Sequence, residues 1–389
     1  MFKIVLFAIL IFSIFLFLYN YFIYPLAVYF LSSRREDAHD SKVMSVKELT
    51  EFPSVSFIIA AYNEEKVIRE KIENTFSIDY PTEKFEFIIV SDGSSDSTPK
   101  IVEEFSDSII GLFEVKRGGK SAALNRAVEK AAGEILVFSD ANNDFSVDAV
   151  KQLVRHFEDT DVGAVTGAKH IYDSSEREAS TGDGLYWKYE SRIKKSESKL
   201  GSITAAEGEI LAVRKSLYIP IDSIKVNDDA AITFDLIKAG YRVLYEENAR
   251  SSELASIDLV DDIKVKIRMT FGGFQTMSME RDFLFPPTTW FSFNFISHKV
   301  LRWFTPHFMI SIFVSSLMLW ETPVVTIFLI GQTLFYFLAY LGWIRRKNTN
   351  ISTLIYIPMY FTVMNIALFI GFLRYLKDSS KVKWEKAER

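Results

Sequence analysis

Cysteine is absent from the 389 residues of this chain, and histidine occurs only five times. Without cysteine there are no disulfides, thiolate metal sites, cysteine nucleophiles or iron–sulfur clusters. The few histidines are scattered and show no metal-ligand spacing. Positive charge is also scarce, because 45 Lys and Arg are outnumbered by 50 Asp and Glu, giving a net charge of −5. This balance argues against a nucleic-acid partner, since phosphate neutralisation needs a basic surface.

Two glycine-rich nucleotide motifs are missing as well. No GxGxxG follows the first apolar run of the central region, which disfavours a dinucleotide-binding oxidoreductase. The segment Gly118-Gly119-Lys120-Ser121 resembles the end of a P-loop, but no glycine stands where that motif begins. A P-loop nucleotide hydrolase is therefore not indicated.

Long apolar runs, in contrast, are abundant. Residues 1–31 contain one charge, Lys3, residues 306–344 contain only Glu321, and residues 351–373 contain none. Runs of about 20 apolar residues are long enough to cross a bilayer as helices. We predict an N-terminal anchor at 1–31 and an aromatic interfacial segment of amphipathic helices at 283–306. Residues 307–376 are predicted to form three transmembrane helices, at about 307–320, 323–343 and 352–374. A charged tail follows at 377–389. A purely soluble protein is excluded.

The region between these apolar parts, about 52–282, alternates short β-rich runs with helical periodicity. Strands are predicted at 54–60, 85–90 and 135–138, and helices at 64–78, 121–131 and 230–240. Such alternation predicts an α/β domain with a mixed, mostly parallel sheet and helices on both faces. Ligands of these sheets bind at the carboxyl ends of the strands.

Polar clusters follow all three predicted strands, at residues 61–64, 91–96 and 139–144. One aspartate after a strand is usually a turn or cap residue, whereas three clusters in register indicate a shared crevice. A nucleotide-sugar suits these residues, because an acidic side chain can accept from the base while a lysine and a divalent cation neutralise the diphosphate. Hard cations prefer oxygen ligands, which Asp140 and the Asn142 carbonyl can supply.

Two adjacent aspartates, Asp228 and Asp229, precede the helical segment 230–240. Sugar transfer needs a general base for the acceptor hydroxyl, and either carboxylate is a candidate. Acidic residues at a helix start also compensate the helix dipole. Spacing alone leaves both interpretations open.

Together these motifs resemble the membrane-integrated inverting glycosyltransferases of glycosyltransferase family 2, which include cellulose, chitooligosaccharide, hyaluronan and poly-N-acetylglucosamine synthases. The resemblance extends from Phe52 to about Pro306 and includes the flanking membrane segments. It implies a GT-A fold in a cytoplasmic catalytic domain. The nucleotide-sugar contacts implied by the matching motifs are Ala61, Asn63 and Glu64 in the first turn, Asp92 and Gly93 at the base, and Lys120 and Asp140 at the phosphates.

The resemblance also implies residues for the reaction itself. Asp140 and Asn142 match the DxD metal motif, with Mn²⁺ or Mg²⁺ as cofactor, although Asn replaces its second Asp. The segment Asn227-Asp228-Asp229 matches the family's T-E-D, which makes Asp229 the general base. Glu207, Gly208 and Glu209 correspond to an acceptor or sugar contact, with a surface turn as the alternative.

The family's Q-x-x-R-W motif is only partly present. Arg268 is kept and is expected to pair with the diphosphate, whereas the Gln and Trp positions are Val265 and Met269. Gln275 is expected to replace some of the lost polar contacts at the acceptor. The alternative is a basic amphipathic helix, with Lys264 and Lys266, on the membrane surface.

The sequence therefore predicts an inverting enzyme that moves a sugar from a UDP-sugar to a hydroxyl of a lipid-linked or saccharide acceptor. Arg34-Arg35 and 345–347 place the catalytic domain in the cytoplasm at the inner membrane, although the basic tail conflicts with an external C-terminus. The alternatives are a processive polysaccharide synthase, a polyprenyl-phosphate glycosyltransferase, and a non-catalytic nucleotide-binding receptor.

Overall fold

The computed structural model describes residues 1–34, 51–172, 182–254, 259–346 and 352–378, with the side chains of 182–186 excepted. It divides into two compact units. Residues 31–255 form a sheet unit, and residues 1–30 together with 256–389 form a helical unit. Residues 35–50, after the N-terminal anchor, and residues 379–389 of the predicted charged tail lie outside the described residues.

An eight-stranded mixed sheet forms the centre of the sheet unit, in the order β3-β2-β1-β4-β7-β6-β8-β5. Strands β1, β2, β3 and β4 run parallel, whereas β7 is antiparallel to both β4 and β6. The strands are β1 Val55–Ala61, β2 Phe85–Asp92, β3 Ile110–Glu114, β4 Ile135–Ser139, β5 Asp144–Phe145, β6 Val162–Tyr172, β7 Ile210–Arg214 and β8 Arg242–Leu254.

Helices pack on both faces of this sheet, as predicted. Two apolar cores result, because alternate residues of β1 such as Phe57 and Ile58 point to opposite faces. One core includes α3 and α6, and the other includes α5 and α8. The helices of the unit are α3 Ile68–Phe76, α4 Thr98–Glu103, α5 Lys120–Lys130, α6 Ala149–Val154, α7 Gly182–Leu200 and α8 Asp228–Lys238, with short 3₁₀ turns at Thr82–Lys84, Arg155–Glu158 and Lys215–Leu217.

The three predicted strands are confirmed to within two residues at each end. The predicted helix at 64–78 is shorter, Ile68–Phe76, because Glu64 begins a turn in which its carbonyl accepts from the amides of Val67 and Ile68. The helix predicted at 230–240 begins earlier, at Asp228, with Asn227 at its N-cap position. Both aspartates therefore lie in the first turn of α8.

The helical unit contains three helices, within the described ranges, that are long and apolar enough to cross a membrane: Phe2–Ser33, Pro323–Arg345 and Thr353–Lys377. The first consists of α1 Phe2–Leu18, a π-helical turn Tyr19–Ile23 and α2 Tyr24–Ser33, and the others are α13 and α14. These positions agree with the predicted anchor and with two of the predicted C-terminal spans.

The third predicted span, at 307–320, takes a different form. Helix α12 Thr305–Met318 has 14 residues and is about 21 Å long, which is too short to cross a bilayer alone. It is long and apolar enough to cross only together with the preceding part, Trp290–Trp303, and the two parts are bent by 56° relative to each other. That preceding part, predicted as interfacial, contains α10 Trp290–Asn294, a π-helical turn Phe295–Val300 and α11 Leu301–Trp303, after a 3₁₀ turn at Arg281–Phe283.

Helix α9, Leu259–Met279, belongs to the helical unit, so the sheet unit ends at Ala255 rather than at the predicted boundary of 282. The reason is its packing on α14. A Cβ at Gly371 would lie 2.8 Å from the Ile267 carbonyl oxygen, which shows how closely the two helices approach. The ring of Phe274 packs 4.9 Å from that of Phe372.

Candidate active site

The turn after β1 is tied to the turn after β2. Asn63 adopts a positive φ of 54°, and its backbone N–H donates to Ser94 Oγ at 3.1 Å. Its side-chain oxygen accepts from the Ser95 backbone N–H at 2.8 Å, and the Glu64 N–H donates to Thr98 Oγ1 at 2.8 Å. Because β1 and β2 are parallel and in register, the predicted residues 61–64 and 91–96 lie together at one edge of the sheet.

Asp92, at the end of β2, holds the loop that leads into α5. Its carboxylate is 4% exposed and accepts from the backbone N–H groups of Gly118 and Gly119, each at 2.7 Å. Gly93 follows with φ +66°, and a Cβ there would lie 2.5 Å from the Arg117 backbone nitrogen. Only glycine therefore permits this approach, which places Lys120 at the start of α5.

Lys120 lies between two carboxylates from different parts of the chain. Its Nζ is 2.7 Å from Asp140 Oδ1, after β4, and 3.3 Å from Asp228 Oδ2, in the first turn of α8. Burial alone would lower the pKa of Lys120, but these carboxylates raise it above its ordinary value. The ammonium stays charged at neutral pH and can neutralise a diphosphate.

Asp229 is next to this ion-pair cluster. Burial, and then the charge of Asp228, raise the pKa of Asp229 far above its ordinary value. A Cβ at Gly208 would lie 3.3 Å from Asp229 Cβ and 3.8 Å from Lys120 Nζ, so the 207–209 turn passes close to the cluster. A carboxyl whose pKa is moved toward neutrality is suited to general-base work.

The 207–209 turn reaches this edge because β7 runs antiparallel to β4. Ile210 at the start of β7 pairs with Ser139 at the end of β4. Glu207 forms an ion pair with Lys194, and Glu209 accepts from Lys169 at 2.6 Å and from Ser251 Oγ at 2.7 Å. Glu209 is 7% exposed, which contradicts the surface-turn alternative for this residue, whereas Glu207 is half-buried.

Both lysines of these ion pairs lie near one aromatic ring. The Nζ atoms of Lys169 and Lys194 are 5.3 and 6.0 Å from the centroid of the Trp187 ring, on α7. Lys169 also forms an ion pair with Glu253 of β8. Three segments distant in sequence thus hold the two glutamates in place.

A buried lysine, Lys71 on α3, donates hydrogen bonds to the turn after β4. Lys71 Nζ donates to the backbone oxygen of Asn143 at 2.6 Å and to its Oδ1 at 3.3 Å. Burial lowers the pKa of Lys71 to about 7, against the opposing charges of Asp144, Asp140 and Glu209. Asn143 in turn donates to the Glu209 backbone oxygen at 3.0 Å.

The donors available for a divalent cation are oxygens. Asp140 supplies a carboxylate that is 37% exposed, and Asn142 lies two residues further in the same turn. In the part of the chain that the structure describes, no group of three His, Cys, Asp or Glu side chains could hold a metal unaided. Mg²⁺ is often bound by one or two carboxylates with waters and substrate phosphates, so these residues fit a cation that is bound together with a diphosphate.

Three predicted site residues lie on α9, in the helical unit. Arg268 is partly buried, Met269 is 44% exposed and Gln275 is buried. Their roles at the diphosphate and acceptor stay predictions. The others, from residues 61–64 to Asp229, are brought together at the strand ends of the sheet unit.

Sequence reasoning missed Lys71, Lys169, Lys194 and Trp187. One signal was available for the first of these, because Lys71 falls on the buried stripe of α3, whose buried residues are Ile68, Lys71, Ile72 and Thr75. A lysine on an apolar stripe requires a buried partner. The other three depend on pairing between distant segments, for which the sequence offers no spacing.

Part of the sheet unit matches a known protein family. Residues 56–219 match the sequence profile of Glycosyl transferase family 2. The chain is 29% identical over 262 residues to the poly-β-1,6-N-acetyl-D-glucosamine synthase of Staphylococcus aureus, which covers 66% of this chain and 62% of that protein. The Staphylococcus epidermidis synthase is 29% identical over 251 residues, covering 62% of this chain and 60% of that protein.

Among solved structures, a mannosyltransferase from Pyrobaculum calidifontis, in complex with GDP-Man and Mn²⁺, is similar over 96% of this chain and 99% of its own, with a TM-score of 0.74. At 22% identity this likeness establishes the fold alone, and it confirms the predicted GT-A fold. The staphylococcal relatives extend beyond the matched region, since the match spans less than two thirds of their length. The residues that match the Glycosyl transferase family 2 profile contribute Asp92, Lys120, Asp140 and the 207–209 turn to the site.

Proposed function

We propose that this chain is a membrane-bound inverting glycosyltransferase that moves a sugar from a UDP-sugar to a hydroxyl of a lipid-linked or saccharide acceptor. One observation carries the proposal: Lys120 joins Asp140 and Asp228, with Asp229 beside them. A cation for the diphosphate and a carboxyl suited to proton transfer thus meet at the strand ends. The sheet unit would lie on the cytoplasmic side of the inner membrane.

Different residues of the sheet unit are proposed to bind the nucleobase and the diphosphate of the donor. Asp92 retains free lone pairs beyond its two N–H partners and accepts from the base, while Lys120 lies against the diphosphate. A divalent cation held by Asp140 and Asn142 would supply further charge neutralisation for the leaving group. Arg268 is assigned to the same diphosphate by the family resemblance.

Asp229 completes the transfer step. Its carboxylate takes the proton of the acceptor hydroxyl, whose oxygen forms a bond to the anomeric carbon as the bond from that carbon to the diphosphate oxygen breaks. The electron pair leaves with the nucleoside diphosphate. Attack from the opposite face of an α-linked donor produces a β-glycosidic bond.

The decisive experiment is a transfer assay with the purified full-length chain in detergent or nanodiscs. A panel of radiolabelled UDP- and GDP-sugars is offered with native membranes as the acceptor source, and products are identified after extraction. Transfer from one UDP-sugar is expected. Transfer from GDP-sugars alone would contradict the assignment of uracil as the nucleobase of the donor. Binding of a donor without its transfer or hydrolysis would favour the non-catalytic receptor.

Donor binding and turnover are expected to require Mn²⁺ or Mg²⁺ through Asp140. A site with one carboxylate and one amide should bind the cation weakly and lose it readily to a chelator. We therefore expect EDTA to abolish transfer, Mn²⁺ to restore it, and Asp140→Asn to raise the Mn²⁺ concentration needed for half-maximal rate. Equal rates and equal UDP affinity with and without EDTA would show that the metal assignment is wrong.

A second candidate, processive polysaccharide synthesis, is favoured by the similarity to poly-β-1,6-N-acetyl-D-glucosamine synthases. The family's acceptor tryptophan is Met269 here, which offers no flat ring to hold a growing chain between additions. Replacement by a neighbouring aromatic is limited, because Phe271 and Phe274 are buried within the helical unit and only Trp290 is exposed, at 47%. These features favour a distributive enzyme.

Product size separates the two candidates. With excess donor and limiting enzyme we expect short products, extended by one or a few sugars, with the acceptor consumed evenly. Sizing of the radiolabelled products by gel filtration measures this. High-molecular-weight polymer that forms while most acceptor remains unused would contradict the distributive prediction and support the synthase.

A further inference from the structure

Lys71 occupies an unusual position for a lysine. It lies in the middle of α3, on the helix face that also buries Ile68 and Ile72, and is 1% exposed. Its Nζ is 4.7 Å from the centroid of the Phe145 ring and 5.5 Å from that of Phe57. Within the described residues no carboxylate forms an ion pair with it, so the ammonium is held by neutral oxygens and aromatic rings.

Lys71 donates both of its hydrogen bonds to Asn143, and Asn143 connects the turn after β4 to the turn before β7. Its backbone oxygen and its Oδ1 accept from Lys71, and its Oδ1 also accepts from Ser139 Oγ at 2.9 Å. Its Nδ2 donates to the backbone oxygen of Glu209 at 3.0 Å. One buried side chain thus joins the turn after β4 to the turn before β7.

In the proposed reaction, one of these turns lies beside the donor diphosphate and the other lies beside the general base. The turn after β4 contains Asp140, which contacts Lys120, the proposed diphosphate cation. The turn before β7 contains Gly208, where a Cβ would lie 3.3 Å from the Cβ of Asp229, the proposed base. The distance between the diphosphate and the attacking hydroxyl therefore depends on how these turns are held relative to each other.

Stability is a weak reason for a lysine at this position. A buried charge loses its hydration, and well-packed apolar side chains often replace buried charged groups without loss of stability. A methionine has nearly the length of lysine and could pack between the same two rings, but it could not donate to Asn143. What lysine adds here is the connection to the two turns.

We propose that Lys71 is a positioning residue of the transfer reaction, which acts through Asn143 to hold the 140–143 turn and the 207–209 turn at their working separation. The inference rests on the proposed function, because it assigns the donor side to one turn and the acceptor side to the other. Misplacement of reacting groups by about 1 Å can reduce a rate by about 10²-fold.

The test compares Lys71→Met, Asn143→Ala and the double variant with the wild-type chain. Lys71→Met is expected to lower the rate of transfer by about 10–100-fold and to raise the Mn²⁺ requirement, while UDP binding at saturating Mn²⁺ is unchanged. If Lys71 acts through Asn143, the double variant loses no more than the more severe single variant. Tyr80→Phe is the matched control, because it removes a partly buried hydrogen bond to the Pro53 carbonyl at the other end of β1.

The outcomes are distinguishable from failure of the proposed function. A wild-type chain that transfers no sugar overturns both, whereas an active wild type with an equally active Lys71→Met overturns the positioning role alone. Additive losses in the double variant would also overturn the positioning role. The same holds for a loss of rate that is accompanied by a lower melting temperature and by weaker UDP binding at saturating Mn²⁺. If Lys71→Met does not fold, Asn143→Ala alone decides, and wild-type rates in that variant overturn the proposal.

Discussion

Replacement of Asp229 by Asn is expected to reduce sugar transfer by about 10²–10⁴-fold, the usual loss when a general base is removed. Asn has the shape of Asp but cannot take up the proton of the acceptor hydroxyl. Nucleotide binding should be unchanged, because the contacts to Asp140 and Asp228 are made by Lys120 and not by Asp229. Transfer from the radiolabelled donor and calorimetric UDP binding, measured on the same preparation, test both parts.

The pH dependence provides an independent check on this role. The pKa of Asp229 is raised by burial and by Asp228, so the working carboxylate form is lost as the pH falls through that raised value. The wild-type rate should therefore decline on the acidic side of neutrality, well above the ordinary range of an aspartate. Asp235→Asn, on the same helix α8, serves as the control and should keep both the rate and the pH profile. Full activity in Asp229→Asn would transfer the role to Asp228.

Lys120→Met is expected to weaken donor binding strongly and to slow transfer. Lys120 bridges Asp140 and Asp228, so its removal leaves these carboxylates facing the diphosphate without a compensating cation. We expect a loss of about 10²–10³-fold in transfer, comparable to the removal of one group that stabilises developing charge.

Binding distinguishes this variant from the previous one. Asp229→Asn should bind UDP normally and fail in transfer, whereas Lys120→Met should be impaired in both. Lys84→Met is a matched control, since Lys84 donates to the Phe52 carbonyl at 2.6 Å, near the start of β1 and away from the strand ends that carry the site. Normal UDP affinity in Lys120→Met, with Mn²⁺ present, would contradict the assignment of Lys120 to the diphosphate.

Much of the sheet unit was accessible from the sequence, because its central strands are buried on both faces and appear as short apolar runs. The carboxyl ends of parallel strands in register meet at one edge, so three polar clusters after β1, β2 and β4 could be assigned to one site. The apolar helices at 1–31, 323–343 and 352–374 were equally clear, since their length and lack of charge leave few alternatives.

Features that depend on pairing between distant segments were decided by the tertiary structure alone. The antiparallel direction of β7 brings residues 207–209 to the site, and no local pattern specifies that direction. Arg268 belongs to the helical unit because α9 packs closely on α14 at Gly371, although α9 follows β8 directly in the sequence. The hydrogen-bond partners of Lys71 could not be predicted for the same reason, because the oxygens of Asn143 come 72 residues later in the chain. Local composition determines which segments are strands or helices, whereas the partner of a buried polar group is determined only when the fold brings the two together.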